Sequence, residues 1–528
     1  DALRASLVRA SATSETHVGD SHLASACAVA AAPLRLALLR VARNALSVAA
    51  EAAASAHCGL ARAVAELAAE ECVRVRRLDA PVPCAPAPED GARSAVDETR
   101  QCARAAAQAL ANAFTAAAAS AAASDMSALW EVAFKPVGDG GGVCLDSCAV
   151  APAVALLECD DAGAREAAAL AAHAAVGAST AHAEALCDDA RALRAAASCG
   201  PAAELLFGRL CVEHTLLPRA LRALRKDARG DLATTPAALA GPQCGTARVL
   251  EALCSHLHKR ADRSASATLG AAAAAFDAPS AYELLREAHA AAARIGSAAS
   301  VCTGDAIDAV LEDDARALEA AMGCMSLLLG EDCGAVRETL AATGERADAG
   351  GDTPPLPHAP IPELGRGVAL LLRMLAALPQ PGRGSVPLEE RAVSAWAPLY
   401  AGGAEKTGTE ETYPAAAPYV GYRADLCALL ANLCFGRADL SDALARVGGA
   451  ELLLSQTRVD EAAPMAREWA LWGVRNVCEV SPVAHERLHG LDALHAADDD
   501  RELRGRGVRV QLGPDGKPTI HHDSAPSS

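Results

Sequence analysis

Aromatic residues make up only 3% of this 528-residue chain. Strands of β-sandwiches and barrels favour aromatic and β-branched residues, so this scarcity argues against those folds. No run of about 18 or more bulky apolar residues occurs, and we therefore predict no membrane span. The 19 Cys show no paired CxxC spacing. That pattern is typical of buried free thiols in the reducing cytosol, and it predicts a cytoplasmic protein.

Ala, by contrast, is abundant, with runs such as residues 271–275, and Ala has the highest intrinsic helix propensity. The chain is longer than a single compact core, which indicates several domains or one elongated solenoid. The net charge of −18 disfavours nucleic acid and anionic membranes as partners, because both are bound by basic patches. The chain begins with Asp1 rather than Met, and we expect a fragment or an incomplete gene model.

Breaks rich in Pro and Gly divide the chain into segments. The pattern predicts a poorly ordered segment at 1–30, divergent N-terminal helical repeats at 31–343, a linker at 344–362, a helix at 363–379, a Pro/Gly/Ala-rich loop at 380–418, a C-terminal repeat domain at 419–500 and a tail at 501–528. In the tail, VQLGPDGKPTI predicts a hairpin around a Pro-Asp-Gly turn.

Two C-terminal stretches align with each other. ALLANLC at 428–434 matches WGVRNVC at 472–478, so that Asn432 pairs with Asn476 at an offset of 476 − 432 = 44 residues. Armadillo and HEAT repeats have periods of about 40–47 residues. Between the two stretches lies a short helix, a turn at Gly448 and Gly449, and a second helix. The sequence therefore predicts an all-α, armadillo/HEAT-like α-solenoid of stacked helical repeats.

The stretch 426–482, and within it EWALWGVRNVCE at 468–479, resembles the C-terminal domain of the ataxin-10 family. LRVARNALS at 39–47 and QALANAFTA at 108–116 are similar to the N-terminal armadillo helices of the family. The resemblance implies a cytoplasmic, non-enzymatic scaffold that self-associates. It also implies roles in cell survival, cytokinesis and cilium-linked processes.

Candidate partner-binding residues lie on the two Asn-bearing helices: Asn432, Trp472, Arg475 and Asn476. In armadillo stacks such helices line a concave groove, where an Arg/Asn pair can grip carboxylates and peptide backbone. Nuclear-import armadillo proteins repeat a WxxxN pair along that groove, whereas this chain has the pair once, so peptide import is an alternative function. Structural roles for these residues are alternative interpretations: Trp472 packs in the core, Asn476 caps a loop, or Arg475 pairs with Glu479.

A rival motif is HERLH at 485–489, which matches the HExxH pattern of zinc hydrolases. Two His at i and i+4 can hold Zn²⁺ on one helix face, with Glu486 as general base. Asp492 stands where the longer pattern requires Gly, and the same residues fit the short helix of a repeat. We therefore predict no catalytic residue, no metal and no cofactor, and keep the zinc hydrolase as an alternative.

Overall fold

The structure of the protein is a computed structural model. It describes residues 90–119, 123–134, 151–231, 244–264, 276–299, 305–330, 334–341, 364–381, 413–414, 416–458, 460, 462–491, 508–512 and 518–522. These residues form two compact units. The N-terminal unit extends to Leu340 and includes Tyr413, and the C-terminal unit holds the residues from Leu364 onward apart from Tyr413.

The described part of the N-terminal unit is helical. Its helices are α1 (Asp90–Ala119), α2 (Ala123–Phe134), α3 (Pro152–Leu157), α4 (Ala162–Ala178), α5 (Thr180–Asp188), α6 (Ala190–Ala197), α7 (Pro201–Gly208), α8 (Leu217–Asp231), α9 (Cys244–Ser264), α10 (Ala278–Ala299), α11 (Asp305–Gly330) and α12 (Gly334–Ala341). Helix α4 packs against both α1 and α7, and α9 packs against both α7 and α11. These neighbours form a row of stacked helices.

Small side chains form the buried face of α4 in this row. The buried face of α4 consists of Ala residues and a single Val, Val176. Ala favours the helical backbone and lets two helices approach closely, but each buried Ala removes little apolar area from water. Arg–carboxylate pairs add to the contacts between neighbouring helices. Examples are Arg104 with Asp161, Arg294 with Asp314, and Arg316 with Glu251.

One backbone irregularity interrupts the row. After α7 the chain makes a π-helical turn, Arg209–Glu213, in which the His214 N–H donates to the Arg209 carbonyl at 3.0 Å. Thr215, which follows, has a φ of 54°, the left-handed region that non-Gly residues seldom adopt. π-Helical turns are rare and occur frequently at functional sites.

The C-terminal unit contains α13 (Arg366–Ala377), α14 (Tyr422–Cys434), α15 (Ala438–Arg446), α16 (Gly449–Ser455), α17 (Pro464–Val480) and α18 (Pro482–His489). The two Asn-bearing stretches are α14 and α17, and they pack side by side. The short helices that follow them, α15 and α18, also pack together. Equivalent helices of successive repeats are therefore stacked, which confirms the predicted α-solenoid type of fold.

Leu and Cys side chains fill the core of this unit, including Leu429, Leu430 and Cys434. Gly448, with a φ of 80°, begins the turn into α16, where Gly adopts a backbone that other residues avoid. Ser481 accepts a hydrogen bond from the Ala484 N–H at 3.0 Å and so caps α18, as its position before Pro482 predicts.

A buried arginine links several parts of the C-terminal unit. Arg423 of α14 is 5% exposed; its Nη2 donates to the Pro379 carbonyl at 2.5 Å, and its Nη1 donates to Gln456, the residue that follows α16. Asp460, 3% exposed, lies with its Oδ2 3.7 Å from the Arg423 Nε. One guanidinium thus joins α14 to the end of α13, to α16 and to the segment before α17.

The tail contains the one pair of strands among the described residues. β1 (Val508–Leu512) pairs with β2 (Pro518–His522) in antiparallel register, with Val510 opposite Ile520. The predictions for 1–30, for LRVARNALS at 39–47 and for the linker at 344–362 lie outside the described residues, as does most of the loop at 380–418.

Candidate partner-binding site

Helix α17 carries three of the four predicted site residues and has two distinct faces. Pro464 occupies the first turn, where its missing N–H costs no hydrogen bond. The buried face presents small residues, Ala466, Ala470 and Gly473. A Cβ atom at position 473 would lie 3.5 Å from the Ala431 Cβ and 3.3 Å from Leu453 Cδ1, so α17 sits close against α14 and α16.

Asn476 belongs to the buried face. The side chain is 7% exposed, and its Nδ2 donates to the Ala431 carbonyl of α14 at 2.9 Å. The last four carbonyls of a helix have no intrahelical partner, and Ala431 is one of them in α14. Asn476 therefore satisfies a helix end of the preceding repeat, which is a structural role for this side chain. Asn432, the next residue after Ala431, is half-buried.

Trp472 lies just outside the buried face and is 51% exposed. The Arg475 Cζ lies 5.0 Å from the centroid of the Trp472 ring, within the range of a cation–π contact. Among the described residues Arg475 forms no ion pair, so the i+4 pair with Glu479 that the sequence leaves open is not seen. Leu471 and Met465 are 43% and 57% exposed on the same side of α17.

These exposed residues form a continuous stripe on α17, which we call the α17 ridge. It consists of Met465, Glu468, Leu471, Trp472, Arg475 and Glu479. Large apolar side chains are normally buried, and a cluster of them on the surface, flanked by charges, is typical of a protein-interaction site. The structure thus brings Trp472 and Arg475 together on the surface and separates them from Asn476.

The HERLH motif lies on α18. His485, Glu486 and His489 are all exposed, and the two imidazole rings stack with centroids 6.1 Å apart. His495 lies outside the described residues. Within the part of the chain that the structure describes, no group of three or more His, Cys, Asp and Glu side chains is placed to hold a metal ion.

The structure also shows a groove in the N-terminal unit that the sequence did not indicate. It encloses about 440 Å³ between α1, α4 and the π-helical turn. Its lining is Gln108, Ala111, Asn112, Thr115, Ala118, Leu170, His173, Ala174, Gly177, Ala178 and Arg209. Asn112 is the late-helix Asn of QALANAFTA, but no sequence pattern links it to Arg209, which is 97 residues further along the chain.

The C-terminal unit is similar in sequence to known proteins. Residues 422–521 match the family model described as the spinocerebellar ataxia type 10 protein domain. Two curated proteins align with the chain. An ataxin-10 homolog of Dictyostelium discoideum is 28% identical over 106 residues, covering 20% of this chain and 17% of the relative. Ataxin-10 of Xenopus tropicalis is 26% identical over 92 residues, covering 17% of this chain and 19% of the relative.

The C-terminal domain of this chain is thus similar to the ataxin-10 family. The alignments span less than a fifth of the length of either curated relative. The ataxin-10 domain begins at the first residue of α14 and extends into the second strand of the hairpin, so it includes the whole α17 ridge.

A solved structure from work on a phosphorylation switch in the interaction between cadherin and beta-catenin aligns with 90% of this chain and 79% of its own. The sequence identity is 13% and the TM-score is 0.27. A TM-score this low adds nothing to the fold described above. None of the helices within the described residues is both long enough and apolar enough to cross a membrane.

Proposed function

We propose that this chain is a non-enzymatic, cytoplasmic scaffold that binds other proteins, and that it self-associates through the α17 ridge. The observation that supports this most directly is the half-exposed Trp472, in contact with Arg475, inside the ataxin-10 domain. Trp and Arg are the residues most enriched among energetically important interface contacts. Other proteins would bind along the concave surface of the helical repeats, with Asn432 among the contacts.

A second copy of the chain fits the charges of the ridge. Arg475 lies between Glu468 and Glu479 along one face of α17, and Trp472 lies within the same stretch. In a two-fold symmetric dimer the same surface meets itself, so Arg475 of each copy would face an acidic residue of the other. The central apolar residues would then be buried and the charges would form the rim.

In this proposal the three candidate residues on α17 have different tasks. Trp472 and Arg475 contact the second copy directly. Asn476 holds α17 against Ala431 and thereby positions the ridge. The family resemblance extends the proposal to cell survival, cytokinesis or cilium-linked processes, in which the scaffold would hold partner proteins together.

Sedimentation velocity of the full chain over a range of concentrations tests the proposal. We expect the wild type to shift from monomer to dimer as concentration rises, and Trp472→Glu to remain monomeric. Phe435→Ala is a matched control, because Phe435 is 62% exposed in the same unit but lies outside α17. A wild type that stays monomeric throughout, or a Trp472→Glu variant that dimerises normally, would contradict self-association through the ridge.

Charge reversal sharpens this test. Arg475→Glu should weaken self-association, because it places three acidic residues along the ridge. Mixing it with a Glu468→Arg/Glu479→Arg variant should restore a heterodimer, since opposite charges then face each other. Failure of the mixture to associate, while wild type dimerises, would remove the two-fold arrangement.

A further inference from the structure

The groove in the N-terminal unit contains one arginine, Arg209, whose side chain is held in place by its neighbours. Arg209 lies across the last turn of α4, where its Nη1 donates to the His173 carbonyl at 3.2 Å. A Cβ at position 177 would lie 2.2 Å from that Nη1 and 2.8 Å from the Cζ. Any residue other than Gly at 177 would therefore force the guanidinium to shift from this position.

The π-helical turn directs this arginine. Arg209 is its first residue, and His214, just after it, places its Nε2 3.0 Å from the Val176 carbonyl. Two side chains from this turn are thus fixed to carbonyls of the same α4 turn. Such backbone irregularities carry an energetic cost and persist where the surrounding structure supports them.

Arg209 retains hydrogen-bonding capacity. A guanidinium has five N–H donors. One bonds to Glu213 Oε2 at 3.1 Å and one to the His173 carbonyl. The other N–H groups have no hydrogen-bond partner among the described residues. They match the planar, two-oxygen geometry of a carboxylate.

The rest of the groove suits an extended polypeptide. Along α1, the polar side chains Gln108, Asn112 and Thr115 share one face at helical spacing and line the groove, and the Thr115 hydroxyl donates to the Ala111 carbonyl at 2.8 Å. The floor is formed by small residues, Ala111 and Ala174 among them, which leave room for a main chain. Peptide recognition in a groove commonly combines such main-chain contacts with a few side-chain anchors.

The charge of the residues that line the groove indicates which kind of peptide would bind there. Among the described lining residues Arg209 alone carries a formal charge at neutral pH. Burial, together with the charge of Arg209, lowers the pKa of His173 to about 4, so this imidazole is neutral. The chain as a whole has a net charge of −18, which makes a cationic position in a groove a local exception.

We propose that this groove binds an extended segment of a partner protein and that Arg209 receives an acidic side chain of that segment. The site does not depend on the α17 ridge, which lies in the other unit. Glu213 competes for the same guanidinium and is exposed, so it limits affinity without closing the site. Removing the charge of Glu213 should therefore strengthen binding, the opposite of removing Arg209.

The test uses the full chain and fluorescein-labelled nonapeptide pools, in which the central position is Asp, Glu, Ala or Lys and the others are random. Fluorescence anisotropy should give roughly tenfold tighter binding for the Asp and Glu pools than for the Lys pool. Arg209→Ala and Gly177→Ala should abolish this preference, and Glu213→Gln should increase it a few-fold. Arg219→Ala, which breaks an exposed ion pair outside the groove, should leave the preference unchanged.

Equal binding of all pools by the wild type would overturn the proposal, as would an Arg209→Ala variant that keeps the acidic preference. Circular dichroism checks that each variant is folded. If Arg209→Ala does not fold, Glu213→Gln still tests the proposal. Weaker or unchanged binding of the acidic pools by this variant would contradict competition between Glu213 and the peptide for Arg209. If Arg209→Ala self-associates like the wild type in sedimentation velocity, peptide binding in the groove is independent of self-association through the α17 ridge.

Discussion

The two units are built from the same element with different side chains. In the N-terminal unit the buried face of α4 is almost entirely Ala, and Arg–carboxylate pairs cross between helices. In the C-terminal unit Leu residues dominate α13 and α14, and Arg423 is enclosed with Asp460 in the interior. The comparison of α4 with α13 and α14 teaches that helices can stack in two ways: by close approach of Ala-rich faces, or by bulky apolar packing around a buried polar link.

The largest effect is expected from removing the buried link of the C-terminal unit. Arg423→Ala leaves Asp460 buried without its cation and frees the Pro379 carbonyl and Gln456. Loss of one partner of a buried pair typically costs about 3–5 kcal/mol. We expect the free energy of unfolding of this unit to fall by that amount in urea titrations followed by Trp fluorescence.

A double variant provides the control. Arg423→Met/Asp460→Leu removes both charges and retains volume, and such replacements are often neutral. If the double variant is as unstable as Arg423→Ala, the loss comes from the missing packing and hydrogen bonds rather than from burying Asp460 without the Arg423 guanidinium.

Changing the size of one buried side chain in each unit tests the part of the comparison that concerns packing. Leu430→Ala should destabilise the C-terminal unit by about 2–5 kcal/mol, because a fully buried Leu leaves a cavity. Ala172→Leu should destabilise the N-terminal unit by about 1–3 kcal/mol, because α4 lies too close to its neighbours for a larger side chain. Urea unfolding measures both. A stabilising Ala172→Leu would show that the Ala-rich row contains unfilled space.

Much of the C-terminal unit could be predicted from sequence, because its signals are local. The 44-residue offset identified α14 and α17 as equivalent helices, and Ser481-Pro482 marked the start of α18. The Arg423 contacts could not be predicted, since they join residues 379, 456 and 460, which share no local pattern. The same holds for the groove around Arg209, whose lining comes from three separated helical segments.

The candidate site on α17 shows a second limit of prediction from sequence. Four residues of an α-helix span about 400°, so Trp472 and Asn476 differ in direction by only about 40°. The sequence places both on nearly one face and assigns them a joint role. The boundary between buried and exposed surface falls between them, however, because it is set by where α14 packs. Periodicity alone cannot locate such a boundary.

A pH-dependent effect should distinguish the N-terminal unit. Burial first, and the charge of Arg209 second, lower the pKa of His173 from 6.5 to about 4. Between these values the unfolded chain binds a proton that the folded chain does not. Stability should therefore fall as pH drops from 6.5 to 4. Because His173 is half-buried, water weakens the effect, and we expect a loss on the order of 1 kcal/mol.

Urea midpoints at pH 7.5 and 4.5 measure this loss in the wild type and in His173→Gln. The variant lacks the titrating group, so its stability should change less over the same interval. Carboxylates that titrate in this range affect both proteins equally and cancel in the difference. Equal losses in the two proteins would mean that His173 is protonated in the folded state.

The smallest effect is expected from an arginine that resembles Arg423 in its partners but not in its burial. Arg219 of α8 bonds to Asp188 with two N–H···O distances of 2.7 Å and also pairs with Glu184, yet these side chains are largely exposed. Exposed ion pairs contribute about 0.2–1 kcal/mol, because water screens the charges. Arg219→Ala should lower the free energy of unfolding by no more than that, and added salt should reduce the difference further. A loss as large as that of Arg423→Ala would mean that charged links, rather than close Ala packing, hold the N-terminal row together.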